Sequence, residues 1–233
     1  MSRPWRIEYE GAFYHLLSRG NDRSNIFMDE KDRSSFLDTV GEMSDRFDID
    51  IFAYVLMDNH YHLLARTRRA NLKKAMQWFG TTYTQRVNGR HFRSGHLFQG
   101  RYKSIIIQND AYLLQLSYYI HRNPLRAGIV KRLGDYRWSS YKVYAYGRKT
   151  PKWLSTDLIL AHFAGDPDCL RSYRQKVQKY ASEEKGLFED LRYGLVLGSK
   201  KFIEKIRKKY IPEKSEMSIP QQRQVARIFD PDL

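Results

Sequence analysis

Hydrophobic and polar positions repeat with two different periods along the first half of the chain, and each period predicts one kind of element. Short apolar runs bounded by Gly, Asp or Asn predict strands. The predicted strands are residues 13–18, 49–57, 60–66 and 104–108. Apolar residues at helical spacing predict helices over residues 29–47, 71–87 and 110–123. This order contains the ferredoxin-like (RRM-like) pattern, an α+β fold with an antiparallel sheet, helices on one face and the other face free for a ligand.

Turn and helix-breaking residues predict where these elements begin and end. Asp29 is a predicted helix cap. Asp58 and Asn59 are turn residues, which favour a hairpin between the second and third strands. Pro124 disfavours helix at the residue before it, so the last of these helices is expected to end near Asn123.

The sequence pattern changes after Gly147. Residues 149–152 resemble a linker, and the predicted elements that follow are short helices at residues 157–163, 168–180 and 200–210. The polar segment from residue 211 is expected to be partly disordered. We therefore predict a main domain over residues 1–147 and a small helical extension over residues 148–233 that is a candidate for DNA binding.

The charge of the chain indicates a class of binding partner. The 233 residues include 41 Lys and Arg against 26 Asp and Glu, a formal net charge of +15. Such an excess favours a polyanion, most often nucleic acid, although a generally basic protein without a particular partner has the same composition. The single cysteine excludes an internal disulfide. No signal-peptide core or run of about 18 apolar residues is present, so we expect no membrane association and a cytoplasmic location.

The sharpest local pattern is His60-Tyr61-His62 on the third predicted strand. Side chains two residues apart on a strand project from the same face, so both imidazoles are expected on one side and Tyr61 on the other. Two adjacent imidazoles are half of a metal site. Two polar histidines on a solvated sheet face would give the same pattern.

The helix after the fourth strand offers the groups that would complete such a site. Tyr119 and Asn123 are four residues apart and so lie on neighbouring positions of one helix face, whereas Tyr118 points elsewhere. A metal ion beside a tyrosine could orient a phosphodiester for attack by the phenol, giving a covalent phosphotyrosine. On helix geometry alone, a core-edge tyrosine and a helix-terminal asparagine are the favoured interpretation.

Four segments of the sequence resemble one known family. Residues 57–64 (MDNHYHLL) resemble the HUH motif of the single-tyrosine HUH, or IS200-like, transposases, and residues 94–102 (SGHLFQGRY) resemble their loop before the last strand. Residues 119–128 (YIHRNPLRAG) resemble the nucleophile helix of the REP-associated tyrosine transposases, and residues 14–21 resemble the family's first strand and loop. The resemblance covers roughly residues 3–145, with Tyr61 in the motif's apolar position as one departure.

The resemblance implies a function and a set of roles. It implies a transposase that cleaves and rejoins hairpin-forming, REP-like single-stranded DNA through a 5′-phosphotyrosine, on the bacterial nucleoid. By the family's spacing, Tyr119 would be the nucleophile, and His60, His62 and Asn123 would hold Mg²⁺ or Mn²⁺. A monomer and a homodimer both remain open, because active sites shared between two subunits occur among related transposases.

Basic residues interleaved with aromatic residues are candidates for DNA binding. Cations bind phosphates, and unpaired bases stack on aromatic rings. The candidates are Arg19, Arg66, Arg69, Arg90, Arg93, Phe98, Arg101 and Lys103. Solvated charged surfaces would look the same in the sequence.

Three other functions remain open at this point. A rolling-circle replication initiator or relaxase would use nearly the same chemistry. A metal-dependent nuclease would keep the histidines and use water in place of Tyr119. A non-catalytic RRM-like binding protein would need neither, but it predicts exposed aromatic residues on the strands equivalent to the RNP motifs, and the sequence has no run of the Lys/Arg-Gly-Phe-Gly-Phe type.

Overall fold

The computed structural model describes residues 7–108, 111–180, 187, 191–192 and 195–210, so Asp110 and the segment from residue 211 lie outside the described residues. The strands are β1 (Phe13–Arg19), β2 (Ile49–Leu56), β3 (His60–Thr67), β4 (Lys103–Ile107), β5 (Leu191–Arg192) and β6 (Val196–Leu197). The helices are α1 (Glu30–Phe47), α2 (Leu72–Arg90), α3 (Ala111–Arg126), α4 (Tyr141–Tyr146), α5 (Asp157–Leu160), α6 (Cys169–Lys179) and α7 (Lys200–Tyr210).

The strands form one mixed sheet in the order β2-β3-β1-β4-β6-β5. The first four strands are antiparallel neighbours in the ferredoxin-like order, which confirms the predicted α+β class. The sheet is extended beyond that prediction because β6 pairs in parallel with β4 and in antiparallel with β5.

One face of the sheet is covered as predicted. Side chains such as Tyr14, Leu16 and Leu63 point toward α1 and α2 and form a buried apolar core with them. Asp29 caps α1, because its carboxylate accepts a hydrogen bond from the backbone N–H of Asp32 at 3.0 Å. The cap and the hairpin before β3 are where the sequence predicted them.

The opposite face differs from the prediction, because it is not free of helices. Phe13, Val55 and Leu64 on that face are buried in a second apolar cluster with residues of α3, α4 and α6. The strands are apolar on both faces, so leaving either one bare would expose a large hydrophobic area. A ligand can therefore reach this face only where polar side chains, and not apolar ones, lie between α3 and the sheet.

Helices α5 and α6 of the region after Gly147 pack on the same face of the sheet, whereas Leu154 and α7 contribute to the first apolar core. Tyr173 and Val177 of α6 share the second apolar cluster with Tyr118 of α3. The His121 ring links the two parts through hydrogen bonds of 2.7 Å to Tyr173 Oη and 2.7 Å to Ser140 Oγ. The division into domains at residue 147 stays a prediction, but the described part of the extension shares its core with the rest of the chain.

Candidate active site

Strand β3 presents His60 and His62 on the same face, as their spacing predicts. The two ring centroids are 5.2 Å apart. His62 is buried, and His60 is partly exposed at the edge of the area that α3 covers. Tyr61 points to the opposite face and is buried against Phe36 and Phe79 of the first core, so the strand separates the two kinds of side chain.

Each of these imidazoles has one nitrogen held by a neighbouring side chain. His60 Nδ1 donates to Asn59 Oδ1 at 2.7 Å, and Asn59 Nδ2 donates in turn to the Arg23 carbonyl, which fixes the amide orientation. His62 Nδ1 lies 2.8 Å from Nε2 of His15, a buried residue of β1. Within the described part of the chain, the Nε2 atoms of His60 and His62 make no hydrogen bond, so they are the atoms available to a metal ion. Holding the second nitrogen is how proteins orient metal-binding histidines.

Both imidazoles are in the neutral form that a metal ion requires. Burial, with the charges of Arg19 and Arg126, lowers the pKa of His60 to about 4. Burial, with the neighbouring His15 and His60, holds the pKa of His62 well below its ordinary value. The lone pairs of both rings are therefore available at neutral pH.

Helix α3 places the Tyr119 ring against His62 and against His15, the histidine of β1 that contacts His62. The Tyr119 ring is fully buried, and its centroid is 6.0 Å from that of His62 and 6.1 Å from that of His15. Tyr118 points away, with its ring packed against Tyr173 of α6, as the helical wheel predicts. The structure thus brings together the tyrosine and the histidine pair that the sequence singled out.

Asn123 lies one turn further along α3, with its amide oxygen on the same stripe. Its Nδ2 donates to the Tyr119 carbonyl at 2.8 Å, so Oδ1 is the atom that faces outward. Two neutral imidazoles and an amide oxygen are a donor set that fits a divalent ion such as Mg²⁺ or Mn²⁺ with open positions left for phosphate oxygens. Among the described residues there is no cluster of three or more His, Cys, Asp or Glu side chains that could hold a metal, so the amide is needed to complete such a set.

Arg126 is a site residue that the sequence analysis missed. Its Nη2 donates to Tyr119 Oη at 2.8 Å and lies 3.3 Å from Asn123 Oδ1, and its guanidinium stacks 4.5 Å from the centre of the Tyr119 ring. The prediction that the helix ends near Asn123 was wrong, because α3 continues through Pro124 to Arg126. Arg126 falls seven residues after Tyr119, two turns along the same face.

Two of the predicted DNA-binding cations lie beside the histidines. Arg19 of β1 is the register partner of His60, and Lys103 of β4 is the partner of Leu17 on the same face. Burial and the charge of Arg19 lower the pKa of Lys103 to about 8. Arg19, Lys103 and Arg126 are each partly exposed, so the side of the site that meets solvent is positively charged.

Three other predicted DNA-binding cations form ion pairs with acidic residues away from the histidines. Arg66 bonds Asp50 at 2.6 Å between the rings of Phe13 and Phe52. Arg69 is paired with Asp48. Arg90 is paired with Asp29 and with the buried Asp32, beside the start of α1. These acids are distant in sequence or on another element, so a count of basic residues along the chain does not reveal them.

The remaining candidates lie on the basic loop between α2 and β4. Arg93 is exposed, whereas Phe98 is partly buried with its ring 6.1 Å from that of Tyr61. Phe98 and Arg101 line a groove of about 810 Å³ between this loop and α2, together with polar side chains that include Gln77 and Gln85. This groove opens on the α2 side of the sheet and is separate from Tyr119.

Comparisons with known proteins identify a family and a similar fold. A family model described as "Transposase IS200 like" matches residues 8–123. A solved structure described as a REP-associated tyrosine transposase bound to a REP hairpin is 18% identical and covers 68% of this chain and 93% of its own, with a TM-score of 0.55, so it supports the fold. A transposase candidate from Deinococcus radiodurans R1 is 15% identical over 58% of this chain and 95% of its own, but its TM-score of 0.36 carries no argument. No curated protein matches the chain. No helix among the described residues is long and apolar enough to cross a membrane.

Proposed function

This chain is a member of the IS200-like transposase family, and we propose that it cleaves and rejoins single-stranded DNA at hairpin-forming, REP-like repeats, with Tyr119 as the nucleophile. The observation that carries the proposal is the position of Tyr119, whose ring contacts the neutral imidazole of His62 edge to face and whose hydroxyl accepts a hydrogen bond from Arg126. The hairpin substrate is supported by the REP hairpin bound to the solved structure of similar fold.

The proposed reaction exchanges one phosphodiester for another. The Tyr119 oxygen forms a bond to phosphorus while the bond from phosphorus to the 3′ oxygen breaks. The products are a free 3′ hydroxyl and a 5′-phosphotyrosine. A 3′ hydroxyl from a second DNA end then attacks the same phosphorus and releases the phenol, so joining needs no nucleotide cofactor.

The residues around Tyr119 have separate roles in this proposal. Mg²⁺ or Mn²⁺, held by His60, His62 and Asn123, would supply polarisation of the scissile phosphate. Arg126 stabilises the phenolate that attacks, because its positive charge is at hydrogen-bonding distance from Oη. Its guanidinium has five donors, so it can keep this bond while donating to a phosphate oxygen. Arg19 and Lys103 hold the adjacent backbone phosphates on the exposed side.

The Tyr119 ring is buried, so the DNA reaches it from the partly exposed side where His60, Arg19, Lys103 and Arg126 lie. This arrangement also separates the proposal from its alternatives. A nuclease that activates water would not require a phenol at this position. A purely binding protein would have no reason to hold two neutral imidazoles beneath a buried tyrosine.

The test is a covalent-adduct assay with a matched tyrosine control. The full chain is incubated with Mn²⁺ and a labelled pool of hairpin oligonucleotides with randomised flanks, and then resolved on a denaturing gel. We expect an adduct with wild type and with Tyr118→Phe, none with Tyr119→Phe, and a nucleotide-modified Tyr119 peptide by mass spectrometry. Tyr118 is the fair control because it is an adjacent buried tyrosine that points away from the site.

Two outcomes would overturn the mechanism. Metal-dependent cleavage that persists in Tyr119→Phe without an adduct would assign a water-using nuclease. Binding without cleavage by wild type, across the whole pool, would assign a nucleic-acid-binding protein.

A further inference from the structure

A second cavity lies on the far side of α3 from the histidines. It has a volume of about 730 Å³ and is enclosed by the end of α3, the 131–135 segment, α4 and the end of α6. Its basic lining residues are Arg122, Lys131, Arg132, Lys142 and Arg148. The single acid in the lining is Asp135, and it is paired with Arg132 at 3.0 Å.

Three of these cations have no counter-ion in the described part of the chain. Lys131, Lys142 and Arg148 make no ion pair with any residue that the structure describes. Arg132 is paired with Asp135, and Arg122 donates to the Val177 carbonyl at 3.0 Å. Like charges that converge on one concave surface repel each other and concentrate positive potential there, which an anionic ligand relieves.

The cavity also contains polar groups suited to an oxyanion. Tyr141 is 1% exposed and lines the cavity, and its hydroxyl makes no hydrogen bond of ordinary geometry to another described residue. The phenol of Tyr146 lies beside it, with ring centroids 6.0 Å apart. A buried hydroxyl that lacks a full partner is costly, and an acceptor oxygen in the cavity would satisfy it.

We propose that this cavity binds a backbone phosphate of the DNA at a distance from the strand-cleavage site. The negative charge of a phosphate would neutralise part of the charge of Lys131, Lys142 and Arg148, and its oxygens could accept a hydrogen bond from the Tyr141 hydroxyl. The cavity begins at Arg122, three residues after Tyr119 on the same helix, so DNA held there is anchored to the helix that carries the nucleophile. The proposal rests on the proposed function for its choice of DNA as the source of the phosphate.

The test compares two pairs of charge-neutralising substitutions in the full chain. Lys142→Gln with Arg148→Gln removes two cavity cations, and Lys152→Gln with Lys176→Gln removes two exposed cations outside the cavity lining. Affinity for a labelled hairpin is measured by fluorescence anisotropy over a range of KCl concentrations. We expect the cavity pair to weaken binding by about 3- to 30-fold and to reduce the slope of log affinity against log salt by about 1 to 2. The control pair should leave the slope unchanged.

A second measurement needs no variant and so is independent of folding. Lysine acetylation is read by mass spectrometry on the wild-type chain, free, with hairpin DNA, and with inorganic phosphate. We expect DNA to protect Lys131 and Lys142 but not Lys152 or Lys176. Protection by inorganic phosphate and not by DNA would overturn the assignment to a backbone phosphate.

The outcomes separate this inference from the proposed function. Equal salt slopes for both variant pairs, with a covalent adduct still formed at Tyr119, would overturn the cavity site alone. Cavity-dependent binding without any adduct would refute strand cleavage and keep the site. A chain that binds no hairpin in any arm would overturn both.

Discussion

At the scale of single residues, Arg126 is the cation in contact with the proposed nucleophile. It reaches the Tyr119 hydroxyl at 2.8 Å from two helical turns away. A tyrosine hydroxyl ordinarily has a pKa near 10 and is a weak nucleophile at neutral pH, so a neighbouring positive charge matters for its reactivity.

We expect Arg126→Met to slow adduct formation at pH 7 by about 10- to 100-fold, because the phenolate loses its charge partner. Single-turnover rates of adduct formation at pH 7 measure the effect. Arg126→Lys is the control, since it keeps the charge and should recover part of the rate. An Arg126→Lys variant as slow as Arg126→Met would indicate that the positive charge is not what Arg126 supplies.

Arg90 and Arg93 belong to one basic loop region but differ in what surrounds them. Arg90 is paired with Asp32, whose side chain is 1% exposed. Burial alone would raise the pKa of Asp32, but hydrogen bonds from His91, the Met28 N–H and Arg90 hold it below its usual value. Arg93 is exposed.

Removal of each guanidinium should therefore have a different effect on stability. We expect Arg90→Ala to lower the free energy of unfolding measurably, because it leaves the carboxylate of Asp32 with fewer partners. Arg93→Ala should change it by less than about 0.5 kcal/mol. Urea unfolding at pH 7 measures both. Equal stability of the two variants would show that the Arg90 pair contributes nothing.

At the scale of elements, two helical glycines have opposite surroundings. A Cβ added to Gly41 of α1 would lie 2.5 Å from Cδ1 of Trp153, whereas one added to Gly80 of α2 would meet nothing within 4 Å. Trp153 belongs to the segment after Gly147 and packs on Tyr54 of β2, so Gly41 is where that segment approaches α1.

Alanine at these two positions should change stability in opposite directions. We expect Gly80→Ala to stabilise the protein by about 0.5–1 kcal/mol, since alanine favours helix over glycine. Gly41→Ala should destabilise it by about 1–3 kcal/mol, because the indole must move out of its packing. Thermal unfolding of both variants is the measurement. A gain in stability at both sites would mean that Trp153 does not pack on α1.

The length of helix α3 determines which residues belong to the site. Pro124 has no N–H, yet the helix continues, because Ala127 N–H still donates to the Asn123 carbonyl at 2.9 Å. Tyr119, Asn123 and Arg126 therefore form one stripe. An end at Asn123 would have left Arg126 in a loop with no fixed position.

At the scale of the whole molecule, one chain holds all the groups of the proposed site. His60, His62, Tyr119, Asn123 and Arg126 come from two elements of the same chain. In that respect the site is complete without a second copy, which supports the monomer over a dimer that shares its active sites.

Mixing two inactive variants tests this directly. We expect Tyr119→Phe mixed with His62→Ala to form no adduct beyond the sum of the two alone, at concentrations up to those used for wild type. Each variant should fold, as circular dichroism would check. Recovery of activity on mixing would show that the tyrosine of one copy acts with the histidines of another, and would overturn action in cis.

The sequence by itself determined the α+β class, the ferredoxin-like strand order, and the facing of His60, His62, Tyr119 and Asn123. These follow from local rules: strand side chains alternate, and helix positions four apart are neighbours. The residues also carried the resemblance to the family that was later matched over residues 8–123. Their catalytic and metal-binding roles stay predictions.

Only the tertiary structure decided which groups surround those residues. His15 contacts His62 across paired strands, and Arg126 reaches Tyr119 because α3 stays helical past Pro124. The covering of the second sheet face, the acids that engage Arg66 and Arg90, and the basic cavity behind α3 likewise join segments far apart in the chain. Periodicity along a sequence describes neighbours on one element, whereas these contacts depend on how elements pack, for which a single sequence has no local signal.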